Sequence, residues 1–72
     1  MDTLQRLYNS EISFEIRAEW EAGFEWKLGD WLNGYIARGY ADSYENAVDA
    51  LVLAACEYFP MSSFAQERRR IA

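Results

Sequence analysis

The stretch EISFEIRAEW, Glu11 to Trp20, alternates without a break. Ile12, Phe14, Ile16, Ala18 and Trp20 fall on one side, and Glu11, Ser13, Glu15, Arg17 and Glu19 on the other. A period of two held over that length describes a half-buried strand and is incompatible with a helical face. One half-buried strand has no stability of its own, so the remaining chain must supply pairing partners and a layer to cover the apolar side.

Both are present. Glu21-Ala22-Gly23 supplies a short turn, after which Phe24, Trp26 and Leu28 alternate with Glu25 and Lys27 to give a second, antiparallel strand. Gly29 to Gly34, with an Asp and an Asn, reads as a loop. Tyr35 to Tyr40 reads as a third strand, with Gly39 marking either a bulge or a close approach by the helix. Asp42 or Ser43 then caps a helix, and Glu45 stands at capping-box spacing from Asp42. Tyr44, Ala47, Val48, Leu51, Ala55 and Tyr58 or Phe59 form the stripe expected to lie on the sheet. Pro60 stops this helix near Phe59. Ser63-Phe64-Ala65-Gln66 repeats the capping-box spacing and opens a short C-terminal helix that frays after Arg70. Residues 1–10 fit either a helix, through Leu4, Leu7 and Tyr8, or an extended lead into the first strand. The expectation is a single α+β domain over 1–72: a three-stranded antiparallel meander packed on one main helix, order β-β-β-α, with a short helical tail.

At 72 residues a domain needs a dense core, and 51% hydrophobic and 17% aromatic residues provide for one. The longest apolar run, Ala50 to Cys56, is too short to span a bilayer. The opening residues lack a secretory pattern and the lone Cys56 forms no internal disulfide, so a cytoplasmic chain is expected.

Catalytic chemistry is not encoded in any familiar form. The chain has no His, no Gly-rich phosphate loop and no metal-ligand cluster, and Cys56 sits in an apolar helix as an inert thiol. A binding protein is expected rather than an enzyme, with no cofactor. The net charge of −5 is unevenly spread, with eleven acidic and four basic side chains over residues 1–66 and Arg68-Arg69-Arg70 near the end. An acidic body disfavours direct nucleic-acid binding and favours a basic protein partner.

Three surfaces are candidates for contact. The outer sheet face would carry Glu15, Arg17, Glu19, Glu25, Lys27 and Arg38, a mixed and mainly acidic patch serving either cross-strand pairing or docking. Trp31 and Leu32 interrupt the loop and either fold over the core edge or anchor a partner. Ala50, Leu53 and Ala54 lie off the main helix stripe. They are covered by the tail, through Phe64 and Ile71, or by a second subunit, and a homodimer is the expected solution.

Gly23-Phe24 opening a strand, Gly29-Asp30 and Gly34 in the following loop, Gly39 before the helix, and Glu45-Asn46-Ala47 at its entry form a pattern. With these residues, the region from Ile12 to about Phe59 resembles the N-terminal domain of HicB-type antitoxins. The resemblance implies a partial ribonuclease-H-like fold without catalytic carboxylates, and a function in sequestering a small basic partner such as an RNA-cleaving toxin. Residues 61–72 are too few for the DNA-binding module of many such proteins, so operator binding is not carried over. Two alternatives compete with this expectation: an inhibitor, of phage or other origin, whose carboxylates imitate nucleic-acid phosphates in a nuclease groove, and a self-associating accessory domain.

Overall fold

The computed structural model describes residues 2–71, with the side chains of residues 2–68. Its element order is α1 (Thr3–Asn9), β1 (Phe14–Glu19), β2 (Gly23–Asp30), β3 (Gly34–Ala41), α2 (Tyr44–Tyr58) and α3 (Ser63–Ile71). The strands form one antiparallel sheet in the order β1-β2-β3. This is the α+β meander with a main helix and a short C-terminal helix that the alternation implied.

Residues 1–10, open in the sequence, are helical from Thr3. Asp2 caps α1 by accepting from the Gln5 N–H at 2.8 Å. At the other end the Glu11 N–H donates to the Tyr8 carbonyl and the Ile12 N–H to the Leu7 carbonyl, a Schellman closure. Leu7 and Ile12 both enter the core, as that motif's apolar contact requires. The left-handed residue at the closure is Glu11, with φ of 63°, where glycine is the usual occupant.

The inner sheet face and α2 make the core, with Leu28, Leu51, Val52, Ala54, Ala55 and Phe64 joining Leu7 and Ile12. α2 lies over β2 and β3 and touches β1 little. Phe14 and Ile16 are consequently only half-buried, and Ala18 is exposed although it shares their face. The expected helix stripe holds at Ala47, Leu51 and Ala55, whereas Tyr44 and Tyr58 are exposed and Val52 is buried instead.

Several expected boundaries move. β1 ends at Glu19 because the chain must reverse into Gly23, and Trp20 leaves the strand to stand in the turn. The second loop shrinks to Trp31–Asn33, since Gly29 and Gly34 remain paired within the sheet. Ser43, not Asp42, caps α2 by accepting from the Asn46 N–H, and Ser62, not Ser63, caps α3 by accepting from the Ala65 N–H. α3 continues to Ile71 rather than ending at Arg70.

Gly39 does not mark a bulge. A Cβ there would lie 2.9 Å from Nε1 of Trp26, the residue directly across on β2, so the missing side chain makes room for the indole. The bulge lies nearer the loop. Leu28 faces Ala37 while Gly29 faces Tyr35, leaving Ile36 as the inserted residue.

Candidate protein-docking surfaces

The register sorts the sheet's charges into rows. Glu15, Lys27 and Arg38 lie side by side across the three strands, as do Arg17, Glu25 and Tyr40. Lys27 Nζ lies 3.9 Å from Glu25 Oε1 and 4.9 Å from the centre of the Tyr35 ring. The Tyr35 hydroxyl donates to Glu15 Oε2 at 3.3 Å. Loss of water around it, and next the Glu15 carboxylate, push the Tyr35 phenol above its ordinary range, which keeps it a donor. Arg17 Nε lies 3.3 Å from Glu19 Oε1. The bulge makes the Tyr35 contacts possible, because the slip at Ile36 brings Tyr35 opposite Gly29, on the side of the sheet that carries Lys27.

The outer face is therefore balanced and not mainly acidic: Glu15, Glu19 and Glu25 are matched by Arg17, Lys27 and Arg38. Glu25, in the central strand, is only 8% exposed although no helix covers this side. Lys27, itself mostly buried, lies beside it. Of the seven partner-contact candidates, Glu15, Arg17, Glu19, Glu25 and Lys27 thus form one internally paired layer. Trp31 and Leu32 stand apart from it on the turn, 82% and 73% exposed. They do not fold back over the core edge. The turn beneath them is held by Asp30, whose Oδ1 accepts from the Asn33 N–H at 2.6 Å.

The surplus acid lies on the helix layer. Asp42, Glu45, Asp49 and Glu57 are exposed along one side of α2 and its cap, and no hydrogen bond or ion pair reaches their carboxylates among the described residues. No Lys or Arg occurs from Gly39 to Glu67. Leu53, one turn after Asp49 and one turn before Glu57, stands in this side 71% exposed. Next to the start of α2, a groove of 630 Å³ runs between α1 and α2 over Leu4, Phe14, Tyr44 and Val48. Its charged lining residues are Asp2 and Glu45, so it continues the acid-edged apolar character of the helix side.

The three residues expected at a dimer contact separate. Ala54 is buried within the protomer, in the same core cluster as Phe64 of α3, and is withdrawn from any interface. Ala50 is half-buried and Leu53 alone is freely exposed. The expected contribution of Ile71 lies outside the described side chains, as do Arg69 and Arg70.

Among the described residues no cluster of Cys, Asp or Glu is placed to hold a metal ion. No described helix is long and apolar enough to cross a membrane. No family model matches the chain, and neither a curated protein nor a solved structure is recognisably similar to it. The HicB resemblance rests on the residues quoted for it alone.

Proposed function

We propose that this chain is a non-enzymatic protein-binding domain that captures a basic protein on the outer side of α2. The observation that carries the reading is Leu53, set among Asp42, Glu45, Asp49 and Glu57 with no cation on the helix. An exposed apolar centre with a charged rim is the usual anatomy of a protein interface. The arrangement also carries a local cost. Glu45 and Asp49 are like charges one turn apart, and Glu57 sits at the C-terminal end, where the helix dipole disfavours an anion. Residues retained against local stability are the ones a function accounts for.

The HicB-like pattern gives this reading its specific form, a cytoplasmic antitoxin-type domain whose target is a small basic RNA-cleaving protein. Mimicry of nucleic acid in a nuclease groove uses the same carboxylates. Leu53 favours the first form, because a groove shaped for phosphates has no receptor for it.

The test is a titration of the isotopically labelled protein, followed by amide and methyl NMR, with two probes: oligolysine, and an amphipathic peptide of alternating leucine and lysine blocks. Shifts should map to Glu45–Glu57, with the leucine-containing peptide binding about tenfold more tightly. Asp49→Lys with Glu57→Lys should abolish both, and Leu53→Ser should equalise them. Shifts confined to the outer sheet face would refute the proposal, as would no binding of either probe. Equal affinity of both probes for the unaltered protein would transfer it to the phosphate-mimic form.

A further inference from the structure

The β1 edge carries an inference independent of the α2 surface. The Gly29 N–H donates to the Ser13 carbonyl at 2.8 Å, which identifies Ser13 and Gly29 as a hydrogen-bonded pair. Such pairs alternate along an antiparallel ladder, so Glu15, Arg17 and Glu19 bond to β2. The N–H and C=O groups of Phe14, Ile16 and Ala18 are left pointing out of the sheet. Neither α2 nor another strand takes them up, since β1 is an edge strand that α2 hardly touches.

We propose that a second copy of this chain pairs with that edge, β1 against β1 antiparallel, about a two-fold axis at Ile16. The strand is complementary to its own reverse. In this register Phe14 faces the second copy's Ala18, Ile16 faces its counterpart, and Ala18 faces the second copy's Phe14, large against small on the apolar side. On the other side Glu15 faces the second copy's Arg17, and Arg17 faces the second copy's Glu15. The backbone agrees independently: with the axis at Ile16, the three outward-pointing residues are the ones that form hydrogen-bonded pairs across the junction. The two-fold axis keeps like faces together, so the product is one six-stranded sheet with both α2 helices on the same side.

Trp20 fits the same register. It is 97% exposed, the most exposed large apolar side chain described. Continuing the pairing by two residues brings it level with the second copy's Ile12. There a cleft of 490 Å³ opens beside the start of β1, with Tyr8, Ile12, Phe14 and Trp31 in its walls. Ala18, exposed on the apolar face because α2 does not reach it, gains cover from the second copy's Phe14.

The alternatives within this molecule are poorer. The other sheet edge, β3, is interrupted by the bulge at Ile36, a device that discourages pairing, and a register centred on Arg38 sets that cation against itself. A two-fold contact of α2 on α2 about Leu53 would place Asp49 against the second copy's Glu57, twice over.

The experiment is sedimentation of the full chain across concentration, with a charge-swap series. The unaltered protein should dimerise. Glu15→Arg and Arg17→Glu should each weaken the dimer by about tenfold or more, because each places two like-charged pairs across the junction. The double variant carrying both restores opposite charges in the same positions and should recover the dimer. Recovery separates a junction effect from damage to the protomer, and thermal melts of the diluted variants check that each folds. Trp20→Ser should also weaken association, while Leu53→Ser should leave it unchanged. A monomer at all concentrations up to the millimolar range would overturn the proposal. So would a dimer indifferent to the single variants, or one in which the Phe14, Ile16 and Ala18 amides exchange freely with solvent.

Discussion

The outer side of the sheet and the outer side of α2 are both polar surfaces of a small acidic protein, but they handle charge in opposite ways. On the sheet, each carboxylate has a cation or phenol in reach, and the central Glu25 is drawn nearly out of solvent beside Lys27. On α2, no cation or phenol among the described residues reaches the carboxylates around Leu53. The difference follows from geometry. A sheet places residues from three strands abreast, so opposite signs drawn from distant parts of the chain can be matched. A single helix draws only on itself, and this one contains no Lys or Arg. The face of a sheet that satisfies itself leaves mainly its backbone edge to offer a partner, whereas the carboxylates of α2 are left available.

The largest expected effect breaks the sheet side of that contrast. Lys27→Met removes the cation beside a carboxylate that has lost most of its water, and should destabilise the domain by about 2 kcal/mol. Glu25→Leu added to it removes the stranded carboxylate and should recover most of the loss. Denaturant unfolding of the two single variants and the double reads the coupling directly. Simple additivity would mean that Glu25 is satisfied by Arg17 instead, its neighbour across on β1.

Next in size is Glu11, whose carboxylate has no partner among the described residues. Its φ of 63° lies in the left-handed region, where a side chain is strained, and the Schellman closure requires that conformation. Glu11→Gly should stabilise the domain by about 1 kcal/mol. A loss of stability in the same unfolding assay would mean the carboxylate contributes more than its backbone costs.

On α2 the expected change is smaller and of the same sign. Glu57→Lys replaces an anion with a cation in the last turn, where the dipole favours it, and should raise stability by about 0.5 kcal/mol. The same substitution should weaken binding of a basic probe, so stability and binding move in opposite directions. On the sheet, Lys27→Met diminishes stability and should leave that binding intact.

How much of this was legible depended on which physical signal each element carries. Alternation over Glu11–Trp20 and Phe24–Leu28 located the hairpin, and the stop at Pro60 located the end of α2, because both patterns are local. The end of β1 was not local, since Trp20 continues the alternation and only the reversal into Gly23 removes it. α1 was ambiguous for a similar reason. Its Schellman closure has Glu11 where a glycine would have announced it. The match between Glu15, Lys27 and Tyr35 needed the bulge at Ile36, which no turn residue signals. The surplus acid of α2 was legible in a plain form, the lack of Lys and Arg from Gly39 to Glu67, but apolar content drew Leu53 and Ala54 together as one patch. Packing against α3 separated them: Ala54 faces Phe64's cluster and Leu53 faces water.

Asp30 gives the finest test of the contrast, because it is a carboxylate satisfied within its own turn. The Asn33 N–H, foremost, and the Ser13 hydroxyl stabilise its ionised form and hold its pKa below the ordinary aspartate range. A group whose folded pKa is depressed binds its proton more readily in the unfolded chain. Its contribution is therefore complete above the ordinary aspartate value and is lost as pH falls through the lower folded value. Below that point the turn carrying Trp31 and Leu32 should loosen before the sheet does, and an acid titration following the Asn33 amide should show it. Asp30→Asn retains an acceptor but no charge, so it should remove that pH dependence while keeping most of the turn. If the acid response of Asn33 persists in this variant, a group other than Asp30 governs the turn.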